Sequence, residues 1–204
     1  KPYSIDVLAA TLVIWLSLRA QESETLSYRW AAGFGVLGSV IVLFSFPAAF
    51  VLAGVGIVQV VTSVHAKDWG RLGRYCCAYA AWILSFAIMY FAYLVPLLEA
   101  HDSDPEGAQL SDYWGDAFMP ISSSVLQWLK EHFLLVFEMP GGFHFTALPA
   151  FVWLIGVVAV WQRDKRVLFM MLLPGVIALT VSATGFYPFG GRLILFLTPC
   201  LFLF

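Results

Sequence analysis

Charge is scarce in this chain: Lys, Arg, Asp and Glu make up 12% of it, while 61% of its residues are apolar. A soluble domain needs more charge than that to cover its surface, so the balance excludes one and predicts a polytopic helical membrane protein. Cysteine is scarcer still, at three residues. Cys76, Cys77 and Cys200 lie in apolar runs, where they read as small buried residues and not as a disulfide framework or metal ligands. No GxxxxGK[ST] loop, HExxH or CxxC pair occurs, and no series of histidines is spaced as haem ligands would be. No cofactor or metal is expected. Ionisable groups within the apolar runs are too sparse for an ion path, which disfavours an energy-coupled pump. No internal repeat or low-complexity segment is present, and no signal-peptide pattern opens the chain.

What is present is a series of apolar runs, at about 5–19, 30–45, 47–64, 75–98, 146–161, 167–185 and 193–204. A crossing helix needs roughly 20 apolar residues for a ~30 Å hydrocarbon core, so 204 residues accommodate about seven crossings and one larger loop. The predicted fold is all-α, with a four-helix membrane segment over 1–98, an extracytoplasmic loop over 99–145 and a three-helix membrane segment over 146–204. Lys1 is not an initiator Met and the chain stops inside an apolar run, so it reads as a fragment of a longer protein. The second and third runs are joined by Ser45-Phe46-Pro47 alone, a tight turn with proline placed to start a helix. The fifth and sixth are joined by the charged turn Gln162-Arg163-Asp164-Lys165-Arg166.

Lysine and arginine set the orientation. One side holds eight, Arg19, Arg29, Lys67, Arg71, Arg74, Arg163, Lys165 and Arg166; the other holds Lys1, Lys130 and Arg192. The first side is assigned to the cytoplasm, and 99–145 to the outside. That loop carries eight of the thirteen acidic residues, Glu99, Asp102, Asp104, Glu106, Asp112, Asp116, Glu131 and Glu138. Within it, 122–138 reads as a helix capped by Ser122, Ser123 or Ser124, with Val125, Leu126, Leu129, Phe133, Val136 and Phe137 on one face. Gln127, Lys130, Glu131 and Glu138 interrupt that pattern, so an interfacial helix is expected.

Several residues could carry chemistry, each with a plainer alternative. In Tyr187-Pro188-Phe189-Gly190-Gly191-Arg192, the guanidinium could clamp a phosphate and the phenol could add a hydrogen bond. Alternatively, Arg192 snorkels to headgroups beside a belt tyrosine. Lys1-Pro2-Tyr3 could bind a lipid phosphate or anchor at headgroups. Asp6, just inside an apolar run, either faces a partner or favours the helix start. His101, Asp102, Asp104 and Glu106, with His132 and His144, match no tight metal spacing and read as a solvated acidic loop. His144, beside Pro140-Gly141-Gly142-Phe143, is the histidine better placed to meet a ligand at the membrane surface. Asp112-Tyr113-Trp114-Gly115-Asp116 suits either sugar stacking or an aromatic belt. His65 reads as a boundary residue.

The opening Lys-Pro-Tyr-Ser-Ile-Asp, the segment Phe44-Ser45-Phe46-Pro47-Ala48-Ala49-Phe50 and the closing Tyr-Pro-Phe-Gly-Gly-Arg-Leu-Ile-Leu-Phe-Leu-Thr-Pro resemble the type C membrane glycosyltransferases. More narrowly, they are similar to the bacterial branch related to protein O-mannosyltransferases and lipid A aminoarabinose transferases. The resemblance implies an inverting transferase with a polyprenyl-phosphate sugar as donor, working at the outer face of the bacterial cytoplasmic membrane. It implies that Lys1, Tyr3 and Arg192 lie at the lipid-phosphate end, where Tyr187 and His144 are further candidates from their own positions, and that the catalytic acidic loop lies upstream of Lys1. Phe46 stands where relatives are expected to carry histidine, which takes a ligand role away from that turn. Expected partners are the polyprenyl-phosphate sugar and membrane lipids, with no nucleic acid. The other function class left open is a non-catalytic membrane subunit docking protein partners through 122–138; a transporter would be expected to show two related halves, and none is seen.

Overall fold

The structure, a computed structural model, describes residues 3–23, 26–96 and 114–203. Among them no strand forms. The helices are α1 (Tyr3–Glu22), α2 (Tyr28–Phe44), α3 (Ala48–His65), α4 (Trp69–Met89), α5 (Val125–Glu138), α6 (Ala147–Arg163) and α7 (Lys165–Ala183), and a 3-10 segment (Gly191–Leu197) runs into α8 (Thr198–Phe202). One π turn, Tyr90–Leu94, prolongs α4.

Helix ends follow local chemistry. The Ser27 hydroxyl accepts from the Trp30 N–H at 3.1 Å, and the Asp68 carboxylate accepts from the Arg71 N–H at 2.9 Å. The Asp164 carboxylate accepts from the Arg166 N–H at 2.8 Å, so a single residue between α6 and α7 replaces the longer charged turn expected there. Pro47 precedes α3, and the Ser45-Phe46-Pro47 turn forms as expected. The last element departs from a plain α-helix. Pro199 has no N–H to give the Leu195 carbonyl, which accepts instead from the Thr198 N–H in 3-10 fashion.

Four of the expected seven crossings reach membrane length: α1 from Ser4, α3, α4 through Leu94, and α7. Helices α2 and α6 have 17 residues each. At 1.5 Å per residue that is about 26 Å, short of a ~30 Å core. The closing segment, Gly191–Phe202, is apolar but shorter still.

Small residues let the helices approach. Gly35 lies on the Ala78 backbone, and Gly38 lies under the Trp82 indole, whose N–H donates to the Phe34 carbonyl at 3.0 Å, locking α2 to α4. Gly54 of α3 lies against Pro174 of α7. The main core joins both halves of the chain: Ala10 and Ile14 of α1, Val51 and Val55 of α3, Met170 and Ala178 of α7 and Phe196 belong to a single buried cluster. The expected segments 1–98 and 146–204 therefore fold together.

The bundle's two ends differ in charge. Near the close of α1, the Arg71 guanidinium donates to the Ser23 carbonyl, Arg74 lies over the Tyr28 ring at 4.8 Å, and one groove joins His65 to Lys165 and Arg166. The Lys- and Arg-rich turns thus share one end. The start of α1, the α2–α3 turn and the stretch after α7 form the other.

Helix α5 takes the expected residues but packs differently from a helix lying across the end of the bundle. Trp128 lies against Phe189, before the 3-10 segment, while Phe133 and Phe137 lie against Trp153, whose indole donates to the Cys200 carbonyl at 3.2 Å. It therefore runs lengthwise beside the closing segment. A cavity of about 370 Å³, lined by Leu129, Val136, Val176 and Leu201 among others, lies between them.

Candidate functional site

Three stretches far apart in the chain meet at the Lys- and Arg-poor end. The Ser45 hydroxyl, buried in the α2–α3 turn, donates to an Asp6 carboxylate oxygen at 2.6 Å, tying the start of α1 to the start of α3. Phe46 stacks on Tyr187 at 5.9 Å between centroids, and Phe50 meets the same ring edge-on at 4.9 Å. Asp6 is part-buried rather than fully hydrated. The Ser45 hydroxyl gives one of its oxygens a hydrogen-bond partner there.

Tyr187 is 7% exposed, and its hydroxyl donates to the Leu193 carbonyl at 2.7 Å. Burial first, and the Asp6 charge second, push its pKa above the usual tyrosine range, so the phenol stays a neutral donor. The expectation that this hydroxyl serves a bound phosphate gives way to a structural role, since its proton already bonds the Leu193 carbonyl inside the 3-10 segment. A raised pKa means the bundle's stability is whole below pH ~10 and declines above it, as the unfolded phenol ionises and the buried one does not. Tyr187→Phe is expected to be less stable than the parent by about 1 kcal/mol at pH 8, the net worth of the hydrogen bond. That gap should narrow above pH ~10, followed as the thermal midpoint in detergent; a pH-independent gap would contradict the assignment.

Arg192 stands one residue beyond the glycine pair, exposed, in the first turn of the 3-10 segment. Gly191 has φ 53°, a left-handed conformation open mainly to glycine, and a Cβ there would stand 4.0 Å from the Trp114 ring. A Cβ at Gly190 would stand 3.3 Å from that of Ala117. The Phe189 N–H donates to the Ala117 carbonyl at 2.7 Å, the Met119 N–H to the Ser182 hydroxyl at 3.0 Å, and the Trp128 indole to the Asp116 carbonyl at 2.9 Å. Residues 114–119 thus hold the turn that presents Arg192.

Lys1 lies outside the described residues, as do His101, Asp102, Asp104, Glu106 and Asp112. Tyr3 opens α1 on the same side as Asp6. His144 does not join this group. Its neighbour Phe143 lies against Phe202 at 6.1 Å, ten residues past Arg192 along the closing segment, a displacement of about 15 Å or more. Among the described residues no three His, Cys, Asp or Glu side chains come together as a metal site would need.

Sequence reasoning missed Ser45 as a partner of Asp6, Trp114 as a neighbour of Gly191, and the stacking of His132 on Trp128 at 3.8 Å. It also missed the buried Gln59, whose side-chain oxygen accepts from the Tyr79 hydroxyl. A lone amide in the apolar run 47–64 was the signal for that last pair. Comparison of the chain with protein-family models, curated proteins and solved structures finds no match.

Proposed function

We propose that this chain belongs to a membrane glycosyltransferase that moves a sugar from a polyprenyl-phosphate donor to an acceptor at the outer face of a bacterial cytoplasmic membrane. In this reading about seven segments enter or traverse the bilayer, the acidic stretch ahead of α5 lies outside, and the Lys- and Arg-rich turns face the cytoplasm. The observation that carries it is convergence. Asp6, Ser45 and Phe46, and Tyr187 to Arg192, drawn from the three stretches on which the family resemblance rests, are joined by one hydrogen bond and two ring contacts at one end of the bundle.

In the reaction, an acceptor heteroatom attacks the anomeric carbon, its bond to the phosphate oxygen breaks, and polyprenyl phosphate leaves with the electron pair. Arg192, with Lys1, offsets the charge that grows on the departing phosphate. The acceptor proton passes to an acidic base, which the resemblance assigns to a loop upstream of Lys1. Tyr187 is a positioning residue, holding the turn ahead of Arg192. The test is transfer of radiolabelled sugar from a polyprenyl-phosphate donor by membranes containing the protein encoded by the whole reading frame. Label reaching an acceptor, and polyprenyl phosphate released, would support the reading. Absence of both across hexosyl and pentosyl donors would favour a non-catalytic membrane subunit.

A further inference from the structure

At the opposite end of the bundle from Arg192, a groove of about 670 Å³ runs between α3 and α7. The two helices touch at Gly54 and Pro174, and the groove lies toward His65 on one and Lys165 on the other, about 15 Å further along each helix. The walls are Val61, Phe169 and Leu173, and the mouth carries His65, Lys165 and Arg166. None of the lining residues is acidic.

Each polar group at the mouth has a defined setting. The Lys165 ammonium lies over the Trp161 ring at 4.7 Å, within reach of the groove rim. Arg166 is exposed, and its backbone N–H donates to the Asp164 carboxylate, which caps α7. His65 keeps a ring nitrogen 3.2 Å from the Val61 carbonyl. The start of α7, a 19-residue helix, adds the positive end of its dipole. The apolar walls open outward: Val61 is 48% and Phe169 43% exposed.

A cationic mouth on a laterally open apolar trough fits one chemistry, an anion with a hydrocarbon tail lying in the same layer. The geometry points to a binding site for an anionic phospholipid, its phosphate diester held by Lys165, Arg166 and His65 and an acyl chain lying along Val61, Phe169 and Leu173. The site is separate from the sugar-transfer proposal and survives its failure.

Native mass spectrometry of the full chain in mild detergent tests it, with phosphatidylglycerol and phosphatidylcholine of identical acyl chains as probes. Phosphatidylglycerol should stay bound under conditions that strip phosphatidylcholine, and the Lys165→Gln/Arg166→Gln variant should weaken its binding about tenfold or more. Val61→Trp, which fills the trough and leaves every charge in place, should weaken it as well. Inorganic phosphate at the same concentration should not displace the lipid. Equal retention of the two lipids, unchanged binding in either variant, or displacement by inorganic phosphate, which would mean a bare anion site, overturns the assignment.

Discussion

Replacing Arg192 by alanine is expected to lower sugar transfer roughly 100- to 1,000-fold, the usual cost of removing one preorganised group from a developing oxyanion. The amount of folded protein should be close to that of the parent. Arg192 is exposed and sits at the start of the 3-10 segment, so its removal opens no cavity in the core. The turn that carries it is held by other groups: the Tyr187 hydroxyl on the Leu193 carbonyl, and the Phe189 N–H on the Ala117 carbonyl. Arg192→Lys should recover only part of the rate, because an ammonium keeps the charge and loses the bidentate fork. Turnover and folded yield falling together would assign Arg192 to structure and remove it from the chemistry.

The largest effect on stability is expected at Gly54. A Cβ on that residue would stand 2.7 Å from Pro174 Cδ and 2.8 Å from Pro174 N, in the middle of the α3–α7 contact. The obstacle is a ring and a backbone nitrogen fixed within a helix, and neither can swing aside as a flexible side chain would. Helix propensity favours alanine over glycine by roughly 0.5–1 kcal/mol, whereas overpacking a tight contact costs about 1–3 kcal/mol. The clash therefore decides the sign. Gly54→Ala should lower stability, and Gly54→Leu should lower it further by forcing α3 and α7 apart. Gly33 of α2 gives the control, since a Cβ there meets nothing within 4 Å. Gly33→Ala should leave stability unchanged or slightly raised. Thermal unfolding in detergent separates the cases, and equal behaviour of Gly33→Ala and Gly54→Ala would contradict the packing assigned to the α3–α7 crossing.

Much of the fold was legible because local patterns govern it. The first six apolar runs, the Ser45-Phe46-Pro47 turn and the amphipathic stretch ending at Glu138 all became helices or turns where expected, while the last run became a 3-10 segment and a short helix. Length separates the crossings: α2, ending at Ser45, and α6, ending at Asp164, have 17 residues each, fewer than α1, α3, α4 and α7. The packing of α5 was not legible. An apolar stripe demands a cover but does not say which, and here Phe189, Trp153 and the closing segment supply it in place of the bundle end. The candidate site was half legible. Asp6 and Arg192 stand out as ionisable groups within or beside apolar runs, but the choice of Ser45, 39 residues away, as the partner of Asp6 is a product of tertiary packing. Tyr187 was read as a ligand for the same reason. Nothing in the motif reveals that its hydroxyl bonds a carbonyl six residues further on.

If the three converging stretches form the phosphate end of a polyprenyl-phosphate site, Arg192 should hold the phosphate of the bound lipid. Binding of a polyprenyl phosphate to the purified protein, followed by 31P NMR with the matching polyprenol as competitor, tests it most directly. The expected result is a shifted, saturable phosphate resonance that the polyprenol does not abolish and that Arg192→Ala does. A resonance unchanged by the protein, or one shifted equally in Arg192→Ala, would contradict it.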